Sequence, residues 1–584
     1  MLSRNVAGRP GQCVGPSWQL APRDREAERA LASALGVHPV TAAVLRRRGL
    51  ETEEAARRFL SPSLDQLHDP LLLPDMLPAA RRVQQALLDR EPLLVHGDYD
   101  ADGLTAAALL VRFLSRLGGQ IRYFVPHRMR DHYGLSVRAV EQAADAGVKL
   151  LIAADCGLRD EAAVTRAQAR GMDVVVLDHH EPGSALPAGA WLVAPRRPGC
   201  EYPEQCHLAS VGLAFKLACA VARLYDLEER FVQRAFLDLV AIGTVADVAP
   251  LLGENRALVR AGLDLLQTTQ KVGLQRLMGA AGVEGAVTTD QVAFRLAPRL
   301  NAAGRLDDAT EALELLITED QLVATRIALR LDSVNRERQE RQAVMAAQAA
   351  EMLAADERAA ERPVFVLASP EWHVGVVGIV AAHLVERHGR PVVLLAQADG
   401  MLRGSGRSIP QLHLAQALEA CGDLLEGHGG HAMAAGLALQ PHNLAAFEER
   451  INEHAAQVLG GVDLQPRLMV DGEVELQEVD WRLAEELALL EPYGEGNPEA
   501  ALVCRGAEVL QSDVVGRQGQ HLKLFVTDGQ RTHECIGFGQ GGMLAAVRRA
   551  THVDLAFTPR INEFNDTRSL ELRLLGVTPG VVSG

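Results

Sequence analysis

Between residue 76 and about residue 195, short apolar runs alternate with helix-forming stretches, and this alternation strongly constrains the fold. The runs at 92–95, 121–125, 149–153 and 173–177 are rich in branched aliphatic residues, as buried strands are. Residues 105–117, between the first two runs, predict a helix. Strands that alternate with helices form a mainly parallel sheet covered on both faces. In such an α/β domain, functional side chains gather where the strands end, at the carboxyl edge.

The whole chain predicts a multidomain α/β protein, because 584 residues exceed what one hydrophobic core supports. Residues 1–75 predict an N-terminal helical segment, and the parallel-sheet domain covers residues 76–307. Residues 308–360 are almost all helix formers and predict a long connecting helix. A second α/β pattern covers residues 361–460. Short alternating strands over residues 466–580 predict a small β-barrel.

Composition indicates a globular protein, with 48% hydrophobic and 23% charged residues. The net charge of −16 argues weakly against a nucleic-acid ligand, which favours a basic surface. Acidic residues can nevertheless bind cations while a local basic groove binds the substrate. No apolar run is long enough to span a bilayer, and the first residues lack the apolar centre of a signal peptide. We therefore expect a cytoplasmic location.

Four clusters of Asp and His lie at or near the ends of predicted apolar segments. A single Asp in such a position is most often a helix N-cap. Three Asp and one His within seven residues, and a double His, are much harder to explain in that way. The clusters are His96 with Asp98, Asp100 and Asp102, then Asp155, then Asp178 with His179 and His180, and finally Asp247.

These clusters predict a metal centre. The ends of parallel strands lie side by side, and crowded carboxylates repel one another unless a cation lies between them. Carboxylate together with imidazole suits Mn²⁺ and related ions. The number of available ligands is large enough for two ions, which is the arrangement used by many phosphoester hydrolases.

At these residues the sequence resembles the DHH phosphoesterase superfamily, which is named for the triplet found here at residues 178–180. Within it, the resemblance is to the exonucleases that degrade single-stranded DNA in the 5′→3′ direction. It implies a parallel-sheet DHH domain, a second α/β domain of the DHHA1 type and a C-terminal OB-like β-barrel. The segments that carry it are 96–105, 153–157, 177–181, 243–248, 298–305 and 429–436.

The resemblance implies two divalent ions, Mn²⁺ or Mg²⁺, and a role for each acidic cluster. His180 would lie beside the scissile phosphate and polarise it or protonate the leaving oxygen. Asp155 would bridge the ions, and Asp98 is assigned either as a further ligand or as a neighbour of the ligands. The implied ligand sets are His96, Asp100 and Asp155 for one ion, and Asp102, Asp155, His179 and Asp247 for the other.

Substrate-binding residues are expected in both α/β domains. Residues 404–408 combine glycines, hydroxyls and a guanidinium, which are the components of a phosphate site. The resemblance implies contacts to DNA phosphates from Arg128, Arg305, Ser405 and Arg407, and His431 belongs to its Gly-Gly-His signature.

The predicted barrel adds a candidate single-strand surface, because OB folds bind single strands through basic grooves and aromatic side chains. Arg517, His521, Lys523 and Phe525 are its candidate contacts, although the barrel is not strongly basic and a structural role is the alternative. The turn-rich segment 491–498 also matches the family, but its sequence indicates no function.

Together these features predict a single-stranded-DNA-specific 5′→3′ exonuclease that acts in DNA repair and recombination. It would release mononucleotides by two-metal phosphodiester hydrolysis. From the resemblance alone, the expected partners are single-strand-binding protein and a RecQ-type helicase. Two alternatives stay open: a DHH phosphodiesterase for short oligonucleotides or cyclic dinucleotides, and a non-catalytic single-strand-binding protein. The chain length and the β module argue against the first, and the complete ligand set argues against the second.

Overall fold

The chain forms two compact units. A computed structural model describes residues 17–20, 22–128, 130–131, 134–183, 185–203, 207–306, 308–462, 464, 467–564 and 567–580. One unit consists of residues 58–337 and 490–498. The other consists of the described residues up to 57 together with 338–489 and 499–580.

The N-terminal segment contains a strand as well as the predicted helices. Asp24 caps the first helix by accepting a hydrogen bond from the backbone N–H of Ala27 at 3.1 Å. The strand had no signal in its own sequence, because its pairing partner lies about 450 residues away. The elements are β1 Ser17–Leu20, α1 Arg25–Leu35, α2 Pro39–Arg47 and α3 Glu53–Leu60.

The first sheet is fully parallel, as the sequence predicts, with the strand order β3-β2-β4-β5-β6. Alternate side chains enter separate cores on the two faces, so that Ile152 and Leu151 of one strand lie in different clusters. The elements are α4 Met76–Leu88, β2 Pro92–Gly97, α5 Ala101–Arg116, β3 Gln120–Phe124, α6 Val137–Asp145, β4 Leu150–Ala154, α7 Glu161–Ala169, β5 Asp173–Leu177 and β6 Trp191–Val193.

A set of helices completes this domain, and α5, α8 and α9 pack against one another. Gly243 permits the close approach of α9, since a Cβ there would lie 2.8 Å from Val211 Cγ1 and 3.1 Å from Asp102 Oδ1. A π-helical turn at Val292–Leu296 precedes α13. The helices are α8 Ser210–Leu224, α9 Glu229–Ala246, α10 Gly253–Gln267, α11 Val272–Ala280, α12 Thr289–Gln291, α13 Ala297–Leu306, α14 Thr310–Ile317 and α15 Gln321–Ala355.

The prediction of one long helix over residues 308–360 was wrong in one respect, because residues 318–320 interrupt it. Thr318 adopts an extended conformation, and Asp320 begins α15 by accepting a hydrogen bond from the backbone N–H of Leu322 at 2.7 Å. Thr and Asp compete in this way for backbone donors, so they favour helix ends over helix interiors.

The second α/β domain contains a mixed sheet with the order β10-β11-β9-β8-β7. Only the pair β7 and β8 is parallel, and the other pairs are antiparallel. The elements are β7 Phe365–Ser369, α16 Val374–His388, β8 Val392–Ala398, β9 Met401–Arg407, α17 Leu414–Glu419, β10 Gly427–Gly430, β11 Ala434–Leu439 and α18 Leu444–Leu459.

The C-terminal strands form the predicted barrel. Pairing runs from β14 through β15, β16, β18 and β17, and the pairing of β17 with β14 closes it. The elements are β12 Arg467–Val470, β13 Gly472–Glu473, α19 Trp481–Ala488, β14 Leu502–Val515, β15 His521–Thr527, β16 Thr532–Gly537, α20 Leu544–Val547, β17 His552–Phe564 and β18 Thr567–Pro579.

The N-terminal segment packs against the C-terminal region. β1 pairs in parallel with β12, and Trp18 joins a small core with Val470. Arg47, from the basic run 46–48, donates to the carbonyl of Val470 and lies 3.6 Å from Asp471. This arginine therefore has an intramolecular role. Among the described residues, no helix is both long enough and apolar enough to cross a bilayer.

Candidate metal centre

The end of β2 and the start of α5 present three carboxylates within five residues. Asp100 is the N-cap of α5, and its Oδ1 accepts hydrogen bonds from the backbone N–H groups of Asp102 at 3.0 Å and Gly103 at 3.2 Å. The N-cap explanation for this Asp is therefore correct, and one carboxylate oxygen takes no part in these bonds. A Cβ on Gly103 would lie 2.5 Å from the backbone nitrogen of Asp98, so the tight turn requires glycine.

The N-terminus of α8 holds two carboxylates in place. Asp102 accepts hydrogen bonds from the backbone N–H of Ser210 at 2.7 Å and of Val211 at 2.9 Å. The hydroxyl of Ser210 donates to Asp155 at 2.9 Å. Asp155 follows β4 with a φ of 67°, a strained conformation for a residue other than glycine. The positive end of the helix dipole stabilises negative charge at this position.

His179 lies among three carboxylates. Its Nε2 is 3.4 Å from Asp155, 3.7 Å from Asp247 and 3.9 Å from Asp102. This buried nitrogen makes no hydrogen bond within the described part of the chain. Burial lowers the pKa of His179 to about 3, with the charge of His180 adding to the effect, so the ring is neutral. A neutral imidazole with an unsatisfied nitrogen facing carboxylate oxygens fits a bound cation.

The ionised forms of these buried carboxylates are unfavourable without a counter-ion. Burial, together with the charge of Asp100, raises the pKa of Asp102 to about 7. Burial and the charges of Asp102 and Asp100 raise the pKa of Asp247 to about 9. The pKa values of Asp98 and Asp155 are raised for the same reasons. A divalent cation would remove this repulsion and favour the ionised forms.

Among the described residues, three groups are arranged so that each group could supply three ligand atoms to one ion. All of these residues are among the predicted site residues, including Asp98, whose role was open, and their binding of a metal ion stays a prediction. The donor set of carboxylates and imidazoles fits Mn²⁺ or Mg²⁺. The groups are Asp102 with His179 and Asp247, Asp98 with Asp100 and Asp155, and Asp155 with His179 and His180.

His96 belongs to none of these groups. Its Nε2 accepts a hydrogen bond from the backbone N–H of Ser136 at 3.3 Å, and its Nδ1 lies 3.5 Å from the sulfur of Cys156. The ring stacks on Phe124. Burial lowers the pKa of His96 to about 4, so the ring is neutral. The proposed ligand role of His96 stays a prediction.

His180 is oriented by Asp178. The ring Nδ1 lies 2.7 Å from Asp178 Oδ1, and Asp178 also accepts a hydrogen bond from the backbone N–H of Leu158 at 3.0 Å. Burial alone would lower the pKa of His180, but the hydrogen bond and charge of Asp178 outweigh it and raise the pKa. This orienting role of Asp178 was not predicted from the sequence, although its position in the triplet 178–180 could have indicated one.

Cationic side chains lie beside the carboxylates. The Arg128 guanidinium lies over the ring of Tyr99, 5.2 Å from its centroid. Tyr99 is the residue between Asp98 and Asp100 in the sequence. Burial raises the pKa of Tyr99 to about 12, and the charges of Arg128 and Arg305 oppose that increase. Arg128 and Arg305, the two arginines of this domain that are predicted to bind substrate, are therefore close to the metal centre.

Arg196 is a further cationic residue near the centre that was not predicted from the sequence, and its charge opposes the effect of burial on the pKa of Asp247. It forms an ion pair with Glu181 at 3.1 Å and is partly exposed. Its signal was its place just after β6. Two further arginines of this domain have other partners, since Arg295 donates to the carbonyl of Gly282 and Arg299 to the carboxylate of Asp332.

In the second α/β domain, the structure brings Ser405 and Arg407 together on one face of β9. Arg407 donates to the Ser405 hydroxyl at 2.6 Å, and both side chains adjoin Gly378 of α16. His431 lies in the turn after β10, and Ala434, just beyond that turn, pairs with Arg407. The three predicted substrate residues of this domain therefore lie at one end of its sheet.

On the barrel, three of the four predicted contacts alternate along β15. His521, Lys523 and Phe525 are partly exposed, whereas the residues between them are buried. Arg517 is exposed in the preceding turn. His521 packs edge-to-face against Phe538 at 5.2 Å, and Arg573 lies 6.0 Å from the same ring. Phe538, which is 44% exposed, was missed because no periodic pattern marks a single aromatic after a strand.

Three domain families match successive parts of the chain. Residues 92–244 match the DHH family N-terminal domain, residues 361–457 the DHHA1 domain, and residues 470–575 the RecJ OB domain. With the acidic strand ends described above, this order of domains defines a multidomain protein of the DHH phosphoesterase class.

Whole-chain comparisons are more specific. The single-stranded-DNA-specific exonuclease RecJ of Bacillus subtilis is 34% identical over 560 residues, covering 95% of this chain and 70% of that protein. RecJ of Dickeya dadantii is 37% identical, covering 92% and 96% respectively. The crystal structure of Thermus thermophilus RecJ in complex with Mn²⁺ matches with a TM-score of 0.83 and 32% identity, over 97% of this chain and 80% of that one. The chain belongs to the RecJ family.

Proposed function

We propose that the chain is a single-stranded-DNA-specific exonuclease that hydrolyses phosphodiester bonds from the 5′ end and releases mononucleotides. The observation that carries the proposal is His179, whose unsatisfied Nε2 faces the carboxylates of Asp102, Asp155 and Asp247. This arrangement fits a metal-dependent hydrolase and does not resemble a simple binding surface. The substrate follows from the activity for which the RecJ relatives are named.

Two divalent cations, Mn²⁺ or Mg²⁺, are proposed for the centre. One would be held by Asp102, Asp155, His179 and Asp247, with Asp155 shared. The other would be held by Asp98, Asp100 and Asp155. For His96 to bind this ion through Nε2, it would have to lose the hydrogen bond that Nε2 accepts from the backbone N–H of Ser136. Bound there, the cations would neutralise phosphate charge and activate water for attack.

The remaining residues orient the phosphate and move a proton. His180, held by Asp178 and with a raised pKa, can donate a proton to the leaving oxygen. Arg128, Arg305 and Arg196 provide guanidinium groups beside the centre, suited to phosphate oxygens. The chain itself would thus supply both positive charge for the phosphate and a proton donor for the leaving oxygen.

Outside the centre, we propose that Ser405, Arg407 and His431 bind DNA phosphates. Their support is their common position at one end of the second sheet. On the barrel, Phe538 with His521 would stack on a base, and Lys523 and Arg573 would attract the backbone. A Phe538→Ala variant would then bind single strands about 5-fold more weakly, since stacking contributes ~1–3 kcal/mol per base.

Single-strand-binding protein and a RecQ-type helicase are proposed as partners in repair and recombination, and the cytoplasm as the location. These proposals rest on the family alone. Co-purification of either partner with the intact chain, in nuclease-treated extract, would test them.

The function is tested with long single strands labelled at the 5′ or the 3′ end, in Mn²⁺ and in EDTA. We expect labelled mononucleotides at once from the 5′-labelled strand, late release from the 3′-labelled strand, and no release in EDTA. Cleavage of dinucleotides with long strands left intact would favour the small-phosphoester alternative. Binding without cleavage in Mn²⁺ would favour the non-catalytic one.

A further inference from the structure

The turn-rich segment 490–498, far from the catalytic domain in sequence, belongs to the same compact unit as that domain. Arg256, on α10, holds it there. This side chain is 2% exposed and donates to the carbonyls of Leu490 at 2.8 Å, Glu491 at 2.9 Å and Pro492 at 3.4 Å. Its Nε donates to the carbonyl of Phe59 at 2.9 Å. A buried guanidinium with several carbonyl partners fixes the path of the backbone that it binds.

The segment is also closed on itself. Asn497 is fully buried, and its side-chain amide donates to the carbonyls of Leu490 and Pro492, each at 2.8 Å. Backbone hydrogen bonds join Gly494 and Asn497 in both directions, at 3.0 and 3.1 Å. The segment is therefore a preformed loop, which we call the strap (residues 490–498).

The strap contacts the loop that directly follows Asp247. The carbonyl of Glu495 accepts a hydrogen bond from the backbone N–H of Leu251 at 2.8 Å. A Cβ on Gly494 would lie 2.6 Å from Leu251 Cδ1, and a Cβ on Gly496 would lie 3.1 Å from Leu252 Cδ1. The two glycines thus let the strap lie directly on residues 250–252.

That loop begins directly after Asp247, which is the C-cap residue of α9. Val248 has a φ of 58°, which is unusual for a β-branched residue and persists only where neighbouring contacts hold it. Asn255 donates from its amide to the carbonyls of Pro250 at 3.0 Å and His207 at 2.6 Å. It therefore joins the loop after Asp247 to the segment that leads into α8, whose first residue, Ser210, binds Asp102 and Asp155.

We propose that the strap, clamped by Arg256, positions Asp247 and thereby sets the affinity of the metal centre. Arg256 and Gly494 are then positioning residues of the centre, although neither touches a ligand atom. Partners that hydrogen-bond directly to metal ligands change metal affinity about 10–100-fold when they are altered, and we expect the lower end of that range for the strap, which acts through the loop after Asp247. The inference rests on the proposed function only in assuming that Asp247 binds a cation.

The test is Mn²⁺ binding by isothermal titration calorimetry on the full chain, well below the melting temperature. Arg256→Lys keeps the charge but loses the fork of donors, and Gly494→Ala puts a methyl group against Leu251. Both should weaken Mn²⁺ binding about 10-fold or more. Because Arg256 is deeply buried, Gly494→Ala serves as the test should Arg256→Lys fail to fold.

Matched controls are Arg260→Lys, whose partner Asp264 lies 3.8 Å away on the surface of α10, and Gly279→Ala, where a Cβ meets no atom within 4 Å. Both should bind Mn²⁺ as the unaltered chain does.

The reference for loss of the ligand is Asp247→Asn. Positioning through Asp247 predicts that Gly494→Ala has no further effect in the Asp247→Asn background, whereas a general loss of structure would add to it. Unchanged Mn²⁺ affinity in both strap variants, or an effect that adds fully, overturns the proposal. If the unaltered chain binds no Mn²⁺, the proposed metal centre itself is wrong, and the strap proposal falls with it.

Discussion

The two α/β domains each contain a five-stranded sheet, but they build their polar sites differently. In the first sheet, every strand is parallel. The candidate ligands, which are scattered between sequence positions 98 and 247, meet at its carboxyl edge. In the second sheet, most pairs are antiparallel, and Ser405 and Arg407 lie within β9 itself. The first site is assembled from the ends of separate elements, and the second from neighbouring positions on a strand and the adjoining turn.

This difference determines which charges each site can concentrate. Parallel strands bring the loops that follow them to one edge of the sheet, along with the N-termini of the helices that those loops enter. The first site can therefore hold several buried carboxylates, partly stabilised by α8. In the mixed sheet, Arg407 and Ser405 form a partly buried guanidinium–hydroxyl pair, which suits the binding of a phosphate better than the binding of a cation. Chemistry would then belong to the first sheet, and the second sheet would add phosphate contacts away from the reacting bond.

The largest effect is expected at the carboxyl edge of the first sheet. Asp102→Asn or His179→Ala removes a proposed ligand and should reduce kcat on a 5′-labelled single strand by on the order of 10³-fold, since metal assistance contributes several kcal/mol. Asp173→Asn is the matched control. Asp173 begins β5 at the opposite edge and forms an exposed ion pair with Arg82. An equal loss from Asp173→Asn would show that the chemistry does not depend specifically on the carboxyl edge of this sheet.

A smaller effect is expected from the carboxylate that orients His180. Asp178→Asn removes the interaction that raises the pKa of His180, so that pKa should fall. If protonated His180 is the acid, the alkaline limb of the kcat profile should move to lower pH, and kcat should drop by about 10²-fold. The measurement is kcat against pH at saturating Mn²⁺. An alkaline limb that stays in place would assign the proton to another group.

Much of the first site could be predicted from the sequence, because its determinants are local. Apolar runs mark the strands, and the residue after each run must lie at the carboxyl edge of a parallel sheet. The ring of His96 was not predictable in this way. Its orientation depends on Ser136 and Cys156, which come from two other segments. A side chain at a strand end has a predictable position but not a predictable direction.

Contacts between distant segments were also beyond the sequence. The strap and Arg256 are more than 230 residues apart in the sequence. Nothing in the sequence of either segment indicates that the two are in contact. The same is true of β1 and β12. On the second sheet, Ser405 and Arg407 were found from residue types alone, and only the register with β11 places His431 near them. Long-range pairing is set by complementary burial and hydrogen bonding, which a single segment does not reveal.

A moderate effect is expected on the second sheet. Arg407→Gln should raise KM for a long single strand about 10-fold, because a charge-assisted hydrogen bond contributes ~1.5–3 kcal/mol. It should leave kcat within about 3-fold if chemistry belongs to the first sheet. The matched control is Arg450→Gln in the same domain, because Arg450 forms an exposed ion pair with Asp423. A fall in kcat with unchanged KM would place Arg407 in the chemical step and break the comparison.

The smallest effect is on stability, and it tests the acidic edge without any substrate. In EDTA, the folded-state pKa values of Asp102, about 7, and Asp247, about 9, exceed the ordinary value of about 4 in the unfolded chain. The folded protein therefore binds more protons than the unfolded chain above pH 4, and it loses stability as pH rises. Between pH 5.5 and 8.5 the loss should be on the order of 2 kcal/mol from Asp102 alone. It would be measured as a falling melting temperature of the catalytic domain.

Asp102→Asn should flatten the dependence of the melting temperature on pH. Saturating Mn²⁺ should reverse that dependence, since the cation favours the ionised carboxylates. A melting temperature in EDTA that is independent of pH would mean that these carboxylates do not repel one another, and the main physical argument for a cation at this edge would be lost.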